Sequence, residues 1–101
     1  MLKFRHMAKK RILLVEDQED SSRVLRAGLE SLDAEFQVVE ARSAEAALRA
    51  LESGPFDLLV ADVRLPGISG IALLGQVLYY QPEIKTFLIN GVPDPEIRKD
   101  V

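Results

Sequence analysis

Phe56-Asp57-Leu58-Leu59-Val60-Ala61-Asp62-Val63-Arg64-Leu65-Pro66-Gly67-Ile68-Ser69-Gly70 begins as an apolar run, ends that run in a carboxylate and then breaks into a Pro/Gly loop. A short apolar run without alternation reads as a strand buried on both faces. In open α/β sheets, chemistry sits just beyond the carboxyl ends of such strands, which is where Asp62 falls. An isolated Asp there would read as a cap for the following loop. The remainder of the chain decides whether it is isolated.

Working outward, Arg11 to Val15 is a second buried strand, and it too ends in acid, at Glu16-Asp17. Asp20 to Leu32 reads as a helix capped by Asp20 or Ser21, with Val24, Leu25, Leu29 and Leu32 on one face. Phe36 to Ala41 is a strand. Ser43 caps a further helix whose stripe is Ala44, Ala47, Leu48 and Leu51, stopped by Gly54-Pro55. After the quoted strand, Ser69 to Tyr80 reads as a helix carrying Ile71, Leu74 and Leu78 inward, ended by Gln81-Pro82. Ile84 to Ile89 is a fourth buried strand, broken by Asn90-Gly91, and Asp94 to Val101 starts another helix with Pro95 in its first turn. Strand and helix alternate throughout, without repeats or linkers. That pattern implies a parallel sheet with right-handed crossovers, hence an α/β fold.

Composition narrows the function classes. The chain has 101 residues, a single domain's worth, with 48% hydrophobic and 29% charged residues. Its formal charge of −3 and the lack of any basic cluster beyond Lys9-Lys10-Arg11 argue against direct nucleic-acid binding. The absence of cysteine excludes disulfides, thiol catalysis and cysteine metal sites. No apolar stretch approaches membrane-spanning length, so the expectation is a cytoplasmic protein with no membrane partner. The apolar pattern starts only after Met7, so residues 1–9 read as an N-terminal extension and 10–101 as the domain. His6, the single histidine, falls in that extension.

Glu16 and Asp17 end one strand and Asp62 ends another. If those strands are neighbours, three carboxylates converge, and each like-charge contact near 4 Å costs about 1 kcal/mol in water and about 4 kcal/mol at a surface-like dielectric. A cation removes that cost. Mg²⁺ suits oxygen ligands, retains waters and works beside phosphate. Asp62 is then a candidate nucleophile for an acyl phosphate. The blander alternative, three solvated loop acids, leaves their placement on two strand ends unexplained. A phosphohydrolase needs a dedicated acid/base after Asp62, where Val63 and Arg64 stand instead.

Arg11-Ile12-Leu13-Leu14-Val15-Glu16-Asp17, Phe56 to Asp62 and Leu65-Pro66-Gly67-Ile68-Ser69-Gly70, with 45 residues from Asp17 to Asp62, together resemble the receiver domain of two-component response regulators. The resemblance implies a flavodoxin-like open sheet with helices on both faces and strand order 2-1-3-4, continuing into a fifth strand in the complete family fold. It implies Asp62 as phospho-acceptor, Mg²⁺ held by Glu16, Asp17, Asp62 and the backbone carbonyl of Arg64, and a sensor histidine kinase or phosphotransfer protein as partner. The protein would then be a phosphorylated signalling domain rather than an enzyme. Two features depart from the family pattern. Asn90, followed by Gly91, occupies the phosphate-contacting switch position usually held by Thr or Ser. The fifth strand, its terminal lysine and a fifth helix are missing before Val101, which reads as a C-terminal truncation. The missing strand would leave the fourth-strand edge open, which implies a homo-oligomer paired through it. The departures also motivate an alternative function: a non-switching interaction or dimerisation module.

Overall fold

The structure is a computed structural model in which residues 9–89 are described. Its order is β1 (Lys10–Val15), α1 (Glu19–Leu32), β2 (Phe36–Ala41), α2 (Ala44–Ala50) with a 3-10 turn (Leu51–Ser53), β3 (Leu58–Asp62), α3 (Gly70–Tyr80) and β4 (Lys85–Ile89). The four strands form one parallel sheet in the order β2-β1-β3-β4. Each βαβ unit crosses over through a helix, so the chain builds outward from β1 in both directions.

Helices cover both faces. On one, Leu13, Val15, Leu59 and Ala61 of the sheet pack against Ala44 and Ala47 of α2 and Leu73 and Val77 of α3. On the other, Ile12, Leu14, Val38 and Val60 meet Leu25 and Leu29 of α1. Leu13, Leu14 and Leu59 are fully buried, and each such side chain contributes about 1.5–3 kcal/mol. β1 and β3 carry unbroken apolar runs because both of their faces are covered.

Local chemistry sets the element ends. Ser43 Oγ accepts from the Ala46 N–H at 3.1 Å and Ser69 Oγ from the Ala72 N–H at 3.1 Å, capping α2 and α3. The connection into β3 is held by two side chains. Arg11 stacks 4.2 Å from the Phe56 ring centroid and donates to the Pro55 carbonyl at 3.2 Å. Gln81 Oε1 accepts the Phe56 N–H at 2.8 Å, so Phe56 is buried but precedes the strand.

Several sequence expectations need correction. Neither Asp20 nor Ser21 caps α1: Gln18 stands at the cap and makes no side-chain cap bond. Its own N–H is taken by Glu16 Oε2 at 3.0 Å, which tightens the turn and starts the helix earlier. Val24 and Leu32 are exposed, because the inward stripe of α1 is Ser22, Leu25 and Leu29. In α3 the buried residues are Gly70, Leu73 and Val77, leaving Ile71 61% exposed and Leu78 at the surface; only Leu74 of the expected stripe packs against the core. β4 is not buried on both faces. It lies at the edge of the described sheet, with Lys85, Thr86 and Phe87 exposed. Asn90, Gly91, the helix expected from Asp94 and the extension carrying His6 fall outside the described residues.

Candidate functional site

Parallel pairing aligns the ends of β1 and β3: Val15 stands opposite Ala61, so the next residue on each strand, Glu16 and Asp62, comes side by side. Asp62 is at the same time paired with Ile89 of β4. Asp17 follows in the β1–α1 turn. Oxygens of Glu16, Asp17 and Asp62 all lie within 4.8 Å of one another. The structure thus brings together the three acids read from the sequence.

Their surroundings differ. Asp17 is exposed, Asp62 is 6% exposed and Glu16 only 1%. Glu16 Oε2 accepts the Gln18 N–H, while Oε1 is buried and has no hydrogen-bond partner. Burial raises the Glu16 carboxyl above its ordinary range; the Gln18 N–H opposes this, and the Asp62 charge reinforces it. An unpartnered carboxylate oxygen in a buried site is costly unless a proton or a cation meets it.

Asp62 is oriented by the loop after it. Asp62 Oδ1 accepts the Arg64 N–H at 2.9 Å, and the Val63 N–H donates to the Ile89 carbonyl at 2.7 Å. Leu65 buries its side chain beneath the loop, and Gly67 has a φ of 84°, a left-handed turn that favours glycine. The chain then folds back so closely that a Cβ on Gly70 would collide with the Asp62 carbonyl. The Gly70 N–H donates to the Val63 carbonyl at 2.9 Å, locking the first turn of α3 onto the end of β3. Arg64 is therefore adjacent to the acids through its backbone, and its side chain is exposed.

A metal fits this arrangement. Oxygens around one octahedral Mg²⁺, with bonds of about 2.1 Å, lie roughly 3–4 Å apart, comparable with the spacing found here. The donor set is all oxygen, as a hard cation requires, and Glu16 Oε1 lacks any other partner.

Sequence reasoning missed a second polar group, between α1 and β2. Ser22 is fully buried on α1 and donates to Glu40 Oε1 at 2.7 Å; Arg26 meets Glu40 Oε2 at 2.7 Å. The signal was a polar residue on the inner stripe of α1 at helical spacing from Leu25 and Leu29.

Comparison with known proteins agrees with the fold and the acid cluster. Residues 12–100 match the response regulator receiver domain family. The chain belongs to that family. It is 33% identical over 97 residues to the response regulator receiver protein CpdR of Brucella abortus, covering 90% of this chain and 79% of CpdR. It is 35% identical over 85 residues to the hydrogenase transcriptional regulatory protein HoxA of Cupriavidus necator, where the match covers 84% of this chain but spans only 17% of HoxA. Among solved structures, the response regulator TrrA of Thermotoga maritima, in complex with Mg²⁺ and beryllofluoride, superposes with a TM-score of 0.74 at 29% identity. That match covers 91% of this chain and 76% of TrrA. TrrA in complex with the histidine kinase ThkA matches with a TM-score of 0.71 at 32% identity, over 78% of this chain and 66% of that one. The chain is thus a receiver module of two-component signalling, a class of signalling domain that is typically non-catalytic. No helix among the described residues is long and apolar enough to cross a membrane.

Proposed function

We propose that this receiver accepts a phosphoryl group on Asp62 and passes the resulting state to a partner. The observation that carries this reading is the convergence of Glu16, Asp17 and Asp62, with one buried Glu16 oxygen unpartnered. Glu16, Asp17, Asp62 and the Arg64 carbonyl would hold Mg²⁺. When bound, Mg²⁺ neutralises the acids and the incoming phosphoryl oxygens.

Asp62 Oδ1 is engaged by the Arg64 N–H, which leaves Oδ2 as the nucleophile. Oδ2 attacks phosphorus of a phosphohistidine on a sensor kinase or phosphotransfer protein. The P–N bond breaks, the imidazole leaves with the bonding pair and takes a proton, and an acyl phosphate forms. Water later hydrolyses that acyl phosphate. The fixed Asp62 carboxylate supplies positioning for this reaction, and few other side chains are needed. Asn90 and Gly91, which follow β4 in the sequence, would take the phosphate-contacting role. An amide NH₂ can donate to a phosphoryl oxygen but lacks the compact reach of a hydroxyl. In this reading residues 10–101 would form the receiver body and residues 1–9 an N-terminal extension, and a kinase partner would put the chain in the cytoplasm.

A second reading, an interaction module that does not switch, is favoured by β4, where Phe87 is 60% exposed on the edge of the described sheet. Pairing of two copies along β4 is compatible with both readings; in the second it is the whole function.

Phosphotransfer separates the two. Incubated with Mg²⁺ and a small phosphodonor, the chain should gain one phosphoryl mass that Asp62→Asn abolishes. An unchanged intact mass in the wild type would leave only the interaction module.

A further inference from the structure

We draw no further inference here: the strongest candidate, the groove of about 810 Å³ at the amino ends of the strands, floored by Ile12, Phe36, Leu58 and Ile84 and flanked by Lys10 and Lys85, is an apolar face for which nothing in the structure shows the occupant.

Discussion

Glu16 follows β1 and Glu40 lies on the neighbouring β2, and their surroundings move their carboxyls in opposite directions. Burial, helped by the Asp62 charge, lets Glu16 hold its proton to higher pH than in the unfolded chain. Its contribution to stability is therefore present at acid pH and lost as pH rises through the folded value, where ionisation leaves a buried charge that a bound cation would relieve. Glu40 is held below its ordinary value of 4.5 by the Ser22 hydroxyl first and the Arg26 guanidinium second. Its contribution is present above that ordinary value and lost as pH falls through the lower, folded one. Arg26 is half exposed and screened, so the buried Ser22 hydroxyl carries most of the effect. Glu40→Gln should cost about 1 kcal/mol at neutral pH, a charge-assisted hydrogen bond reduced to a neutral one. In urea unfolding followed across pH, the gap between wild type and variant should close on acidification. A gap that stays constant down to the lowest pH at which the protein folds would show that Glu40 is not held as described.

Among the elements, α3 shows how far hydrophobic pattern reaches. Gly70 to Tyr80 is apolar at nearly every position, so hydrophobicity alone cannot choose a buried face. The choice is made by contact: Gly70 must face the Asp62 carbonyl, and Leu73 and Val77 then follow at helical spacing. The sequence reading of Ile71, Leu74 and Leu78 was displaced for this reason. α2 was read correctly because Glu45 and Arg49, four residues apart, mark its outer face and leave Ala44, Ala47 and Leu48 on the other. The start of α1 was misplaced because Glu16, two residues upstream, binds the Gln18 N–H in place of a conventional cap. Leu73→Ala should destabilise by about 2–5 kcal/mol, the cost of a core cavity, and Ile71→Ala by no more than about 0.5 kcal/mol. Denaturant midpoints measure both. Equal losses would mean that α3 is rotated from the position described.

For the molecule as a whole, strand order and site were legible together. Alternating strands and helices imply a parallel sheet, the receiver resemblance implied that β1 and β3 are neighbours, and the observed order β2-β1-β3-β4 brings the acids at their like ends together. Less could be read where specificity depends on single atoms, such as the unpartnered Glu16 oxygen, the Ser22–Glu40 bond and the Arg11–Phe56 stack. These are contacts between residues distant in sequence and leave no periodic trace. At the same scale, β4 lies at the edge of the described sheet, and the proposed self-pairing would run along it. Light scattering at micromolar concentration should return the mass of two chains, falling to one in Phe87→Lys; a single-chain mass for the wild type would count against β4 pairing. The central claim, that the acid trio is a Mg²⁺-dependent phosphorylation site, is tested most directly by a crystal structure with Mg²⁺ and beryllofluoride. The expected result is a metal held by Glu16, Asp17, Asp62 and the Arg64 carbonyl, with the beryllium of the beryllofluoride bonded to Asp62 Oδ2. A saturated crystal with neither species at these acids would contradict it.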